Sequence, residues 1–291
     1  MVRIVFVIVG VSLIAASGCG GSRVDAAGAD AAAATSLRAT LLTASDEGAT
    51  AETGPAGTGW ATLKGVFTLS GPLPAARQLV VDKDTEVCSK DGMKLFDRSL
   101  LVDGSSKGLA NVVVFVRKSS RVKNPVSADQ LLFDQKNCEF IAPVFAARVG
   151  QPVDVRNSDP VGHNTNISGS SFNQLIPAGQ GTIYTPNKET GMPVMVTCNI
   201  HPWMKAYAVF REDGYVAVTA SDGSFTIPDL PAGEPLEFQV WHERATGPNG
   251  ALALEVPELK WSDKGRFKLT LDGDEVRDLG TLVVPAAALG I

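Results

Sequence analysis

The sequence predicts an all-β protein of two consecutive β-sandwiches, and three observations carry that expectation. Short apolar runs recur from Trp60 onward, each bounded by Gly, Pro, Asn or Asp. After that point no long stretch shows the 3.6-residue apolar period of an amphipathic helix. Roughly 230 residues of this kind fit two modules more comfortably than one.

The first segment reads as an address. Residues 1–18 begin with one positive charge, Arg3, followed by an apolar run from Ile4 to Ile14 that is too short to span a membrane. Ala16-Ser17-Gly18-Cys19 resembles the lipobox of bacterial lipoproteins, which implies lipid on Cys19 and a chain exported to the periplasm or cell envelope. Ordinary cleavage after the small residues, releasing a soluble protein, is the alternative. Residues 19–59 read as a tether. Of the 40 residues Gly20–Gly59, 12 are Ala and 7 are Gly, with no amphipathic face to bury.

The first folded module is expected over residues 60–212, with strands at Ala61–Leu69, Leu79–Val81, Ala110–Arg117, Phe140–Phe145, Pro152–Arg156, Gly181–Tyr184, Pro193–Thr197 and Ala206–Phe210. The polar turn Glu212-Asp213-Gly214 marks the boundary to a second module over 213–291. Its strands are expected at Tyr215–Thr219, Ser224–Ile227, Leu236–His242, Arg266–Leu271 and Leu279–Val284.

Composition narrows the function. The 291 residues are 44% apolar and 20% charged, a globular balance, with a net charge of −5 and no Lys/Arg block to neutralise phosphates. A nucleic-acid surface is therefore not expected. Only three histidines occur, His163, His201 and His242, too few for a multicopper cluster. The dispersed carboxylates show no pairing for acid/base work, and His242 beside Trp241 reads as a packed strand-end residue, so no enzyme is expected.

Four cysteines lie at 19, 88, 138 and 198. With Cys19 lipidated in an oxidising compartment, three remain. A Cys88–Cys138 disulfide is the economical pairing and leaves Cys198 as the odd thiol, while Cys88–Cys198 and Cys138–Cys198 stay open.

That odd cysteine starts the run Cys198-Asn199-Ile200-His201-Pro202-Trp203-Met204, which sets a thiolate, an imidazole and a thioether three residues apart. Soft sulfur donors with a borderline nitrogen suit copper. Composition gives such a spacing on one of the four cysteines with a chance probability of about 0.0007. A second imidazole stands upstream in Gly162-His163-Asn164.

These residues resemble the cupredoxins, closest to the amicyanin and pseudoazurin type, over roughly residues 100–210. The resemblance implies a Greek-key β-sandwich holding one type 1 copper per chain. His163, Cys198 and His201 would lie in a trigonal plane with Met204 axial. It further implies that Asn164 ties the two ligand loops together and that His201 is the partly exposed edge for electron passage. Segment 214–245 resembles the carboxypeptidase-regulatory-like, transthyretin-like β modules of exported proteins. The combination looks like bacterial proteins of the methylamine-utilisation kind.

The expectation is thus an electron-transfer protein held to a membrane by its lipid alone. No Cys-x-x-Cys-His occurs, so no c-type haem is expected on the chain and its redox partner is expected to be another molecule, such as a c-type cytochrome or a dehydrogenase. Copper storage or delivery, or a metal-free structural or adhesive role, are the alternatives.

Overall fold

The computed structural model of the chain describes residues 59–291. The signal segment, Cys19 and the tether up to Thr58 lie outside the described residues. Strands follow in the order β1 (Trp60–Ser70), β2 (Val113–Val116), β3 (Leu131–Lys136), β4 (Glu139–Phe140), β5 (Val144–Arg148), β6 (Val153–Asn157), β7 (His163–Ile167) and β8 (Asn173–Ile176). They continue with β9 (Gly181–Tyr184), β10 (Val194–Thr197), β11 (Lys205–Arg211), β12 (Val216–Val218), β13 (Ser224–Pro231), β14 (Pro235–Trp241), β15 (Arg266–Thr270) and β16 (Val276–Pro285). One short α-helix, α1 (Thr85–Cys88), and a 3-10 turn at Lys90–Gly92 lie between β1 and β2. The protein is all-β, as predicted, and its strands form four sheets.

Two of these sheets enclose one core. The five-stranded sheet β5-β11-β10-β7-β8 faces the four-stranded sheet β4-β3-β6-β9. Between them lie Phe133, Val155, Ile167, Val196, Ala208 and Phe210, all buried. The other two sheets, β13-β1-β16 and β12-β2-β14-β15, enclose a second core that includes Leu63, Phe67, Val114, Phe238, Phe267 and Leu282.

The expected boundary at 212/213 needs correcting, because it separates strands that pair. β1 alternates buried and outward residues, placing Leu63 and Phe67 inward, and it lies between β13 and β16 with hydrogen bonds to both. β2 pairs with β12 and β14. Strands from both sides of that boundary therefore build the second sandwich, because the apolar faces of β1 and β2 have their partners there.

β2 also explains how the two sandwiches meet. All four of its residues are buried, an uninterrupted apolar run rather than an alternation. Val114 and Val116 enter the second core, while Val113 and Phe115 pack with Val144, Val209 and Trp241 in a small cluster of their own. Arg211 is buried at this seam: its guanidinium lies 4.9 Å from the Phe115 ring centroid and donates to the Val116 carbonyl at 2.8 Å. A buried charge demands such partners, and Glu189 provides the anion at 3.0 Å.

Pairing is not antiparallel throughout. β1/β16, β5/β11 and β3/β6 run parallel, which requires connections that cross between sheets instead of hairpins. The expected strand at Leu79–Val81 is extended chain joined to the rest by a single bridge, Gln78 to Phe96. α1 lies in a stretch where no helix was expected.

Candidate metal centre

The donor residues converge where two strands of the five-stranded sheet end. β10 stops at Thr197 and β11 resumes at Lys205, so Cys198 to Met204 form the connection between neighbouring antiparallel strands. That connection is closed by its own backbone: the Met204 amide donates to the His201 carbonyl at 2.9 Å and the Cys198 amide to the Met204 carbonyl at 3.2 Å. β7 lies on the other side of β10 and begins with His163, at a strand start where the sequence suggested a loop.

All four predicted donor residues are buried: His163 and His201 at 0% exposure, Cys198 and Met204 at 2%. The Nδ1 atoms of His163 and His201 are 2.9 Å apart, and His201 Nδ1 lies 3.7 Å from Cys198 Sγ. The three donor atoms are all within 4.8 Å of one another. Met204 belongs to the same core cluster as Cys198.

Each imidazole has its outer nitrogen on a carboxylate. His163 Nε2 is 2.8 Å from Asp159 Oδ2, and His201 Nε2 is 2.8 Å from Asp84 Oδ2. With each Nε2 donating to its carboxylate, the two Nδ1 atoms face each other. Facing lone pairs at that separation are held together only by a proton or a cation between them. A trigonal site with bonds of about 2.0 Å to nitrogen and about 2.3 Å to sulfur places nitrogen and sulfur about 3.7 Å apart, which the Cys198–His201 pair matches. It places the two nitrogens about 3.5 Å apart, so the imidazoles at 2.9 Å would move apart to admit an ion. The donor set therefore fits a soft or borderline metal ion.

The electrostatics point the same way. Burial pushes the Cys198 thiol up, but hydrogen bonding with His163 and from the Asn164, His201 and Ile200 amides outweighs it and brings the pKa down to about 6. Burial lowers His163, while the Asp159 carboxylate and the Cys198 sulfur more than offset this and leave it raised. Burial likewise pushes Asp159 up, yet His163 and the Cys138 and Asn137 amides hold it below the usual carboxylate range.

Asn164 joins the two ligand segments. Its backbone amide donates to Cys198 Sγ at 3.2 Å and its Oδ1 accepts the Asn199 amide at 3.1 Å, while Nδ2 donates across to Asn173. Cys88 and Cys138 form a disulfide, and Cys198 is the free thiol among the described cysteines. Cys138 also lies near Asp159 and His163, but its sulfur is consumed in that bond and offers no thiolate. His242 is buried just past the end of β14 and takes no part in the donor set.

One expectation is overturned. His201 is not a partly exposed edge, because Asp84, from the segment ahead of β2, covers its outer nitrogen, and the Trp203 ring lies 5.0 Å from it. Asp84 and Asp159 were both missed in the sequence. Asp159 stands four residues before His163, a spacing that invites attention. Asp84 has no local signal and is reached only through the tertiary fold.

No family model matches the chain, and no curated protein matches it. Solved structures to which it is similar include amicyanin from Paracoccus versutus, 18% identical over 34% of this chain and 97% of that one, with a TM-score of 0.26. A reduced Cu(I) form of an amicyanin mutant is 18% identical over 30% of this chain and 86% of that one, also at 0.26. The Cu-containing nitrite reductase from Thermus scotoductus is 18% identical over 31% of this chain and 24% of that one, at 0.27. At TM-scores of this size the likeness carries no argument about function, which rests on the site itself.

Proposed function

We propose that this chain is a copper-binding electron-transfer protein, with one mononuclear copper held by His163, Cys198 and His201 and with Met204 as a weak fourth ligand. The observation that carries the reading is the pair of facing Nδ1 atoms, 2.9 Å apart, with the buried Cys198 sulfur 3.7 Å from one of them. Copper in this donor set would alternate between Cu(I) and Cu(II), taking one electron from a donor protein and giving it to an acceptor.

The chain's own part is to exclude water and to hold the donors still. The four side chains are buried, both rings are anchored at their outer nitrogens, and the sulfur accepts amides from Asn164 and His201. A rigid, dry donor set changes little between oxidation states, which favours electron passage over chemical turnover. A single donor set without a neighbouring imidazole cluster supports a carrier rather than an enzyme.

Sequence supports the remainder of the reading: export, lipid on Cys19, and a c-type cytochrome or dehydrogenase as partner at the cell envelope. Storage or delivery of copper is the second reading, and the burial of every donor opposes the ready exchange it requires.

The test is a Cu(II) titration of the protein followed by visible absorption and EPR, alongside Cys198→Ser. An intense copper–thiolate band at one copper per chain, absent from the variant, is the expected result. No copper uptake, or a spectrum of ordinary Cu(II) without that band, overturns electron transfer. Rapid loss of copper to a strong chelator would move the assignment to storage.

A further inference from the structure

A segment remote in sequence reaches the donor set for one contact. Asp84 lies in the left-handed backbone region at φ 46°, a conformation that Asp tolerates better than most residues. Its carbonyl accepts the Val87 and Cys88 amides at 2.9 and 2.8 Å, which winds the single turn of α1. Cys88 is then bonded to Cys138 at the tip of the β3–β4 hairpin, and Trp203 Nε1 donates to the Cys138 carbonyl at 3.0 Å. The turn, the disulfide and the hairpin together fix where the Asp84 carboxylate stands. Its oxygen is 2.8 Å from His201 Nε2, and the side chain as a whole is 42% exposed.

Asp159 makes the matching contact to His163. A carboxylate behind a ligating imidazole orients the ring and makes its inner nitrogen a stronger donor. Two of them, with a thiolate, place three negative charges around one ion, and the more highly charged oxidation state gains most from them.

We propose that Asp84 is a positioning residue of the metal centre, which holds His201 by its outer nitrogen and, with Asp159, biases bound copper toward Cu(II). The inference rests on the copper reading above and concerns the preference between oxidation states.

The experiment uses the whole chain and compares Asp84→Asn with Asp82→Asn. Asn keeps an acceptor oxygen and suits the backbone at 84, whereas Asp82 is an exposed neighbour of equal charge. Spectroelectrochemistry gives the midpoint potential of each copper-loaded protein. In D84N the preference for Cu(II) over Cu(I) should fall about tenfold, a rise of about 59 mV for a one-electron couple, with the copper–thiolate band retained. D82N should match wild type. A second readout is NMR of the Cu(I) form, where the His201 Nε2 proton should be protected from water and Asp84→Ala should make it exchange freely.

Equal potentials in D84N and D82N, or a His201 proton equally protected in D84A, overturn the inference and leave the copper assignment standing. A wild-type protein without the copper–thiolate band overturns the copper reading and this inference with it.

Discussion

Asp84 and Asp159 back the two imidazoles of one donor set, each at 2.8 Å, and a single disulfide joins the segment that carries Asp84 to the hairpin that hydrogen-bonds Asp159. The Cys138 amide donates to Asp159 Oδ2 at 2.8 Å, and its partner Cys88 donates its own amide to the Asp84 carbonyl at the same distance. The Asn137 amide also reaches Asp159, so the hairpin tip presents two successive donors to that carboxylate. Both tip residues have positive φ, as a two-residue hairpin turn of this hand requires. Asp159 is thus held by the hairpin itself, whereas Asp84 depends on the disulfide.

Removing the disulfide should separate those two dependences. The bridged residues are 50 apart in sequence, and closing a loop of that length stabilises by about 4 kcal/mol in the chain-entropy model. The double variant Cys88→Ala/Cys138→Ala should lose stability on that scale in urea denaturation. Its copper potential should move in the same direction as that of D84N. A loss below about 1 kcal/mol with an unchanged potential would show that α1 is held without the cross-link.

Asn164→Ala tests the tie between ligand segments. The side chain accepts the Asn199 amide and donates to Asn173 and to the Gln174 carbonyl, and the variant leaves those groups without a partner. These partners lie on exposed residues where water replaces part of what is lost, so the cost is about 1 kcal/mol for each hydrogen bond. Because the Asn164 amide still reaches Cys198 Sγ, the thiolate keeps that donor. The expected outcome is a protein that binds copper about 10-fold more weakly and unfolds earlier, with its copper–thiolate band shifted rather than abolished. An unchanged affinity measured by competition with a chelator would remove Asn164 from the site.

How much of this was legible in sequence follows from how local each feature is. Cys198, His201 and Met204 lie within one connection between paired strands, so their spacing already stated the donor set. His163 was reached as the upstream imidazole that would complete the set, and its nearness to Cys198 comes from a strand that pairs with β10 only in the fold. Asp84 was invisible, since neither spacing nor periodicity links it to His201. α1 escaped for a related reason: four residues are too few to show a helical period. Alternation in β1 announced a strand with one buried face, yet alternation says nothing about which sheet receives it. The module boundary was misplaced on that account.

That misplacement makes a prediction about fragments. A piece comprising residues 213–291 lacks β1, which lies between β13 and β16, and β2, which joins β12 to β14. It would expose Ile227, Phe238 and Leu282, each at most 1% exposed in the whole chain. That fragment should lack a cooperative unfolding transition, whereas residues 59–291 should show one by circular dichroism. A cooperative transition in 213–291 alone would contradict the shared core.

His242 provides a pH dependence outside the donor set. It is 1% exposed, its Nδ1 accepts the Arg244 amide at 3.1 Å, and its Nε2 is buried without a partner at hydrogen-bond distance. Burial lowers its pKa to about 4; the nearby Ala110 carbonyl opposes this only in part, and Arg244 adds to it. The folded protein therefore prefers the neutral ring, while the unfolded chain takes up a proton near the ordinary value of 6.5. The stability this contributes is fully present above pH 6.5 and is lost as the pH falls toward 4. By linkage the loss is about 2 kcal/mol at pH 5 and about 3 kcal/mol at pH 4. His242→Asn keeps an acceptor near the Arg244 amide and cannot titrate. Between pH 7.5 and 5, wild type should lose about 2 kcal/mol more stability than H242N in urea denaturation. Parallel pH profiles for the two proteins would mean that folding leaves the proton affinity of the ring unchanged.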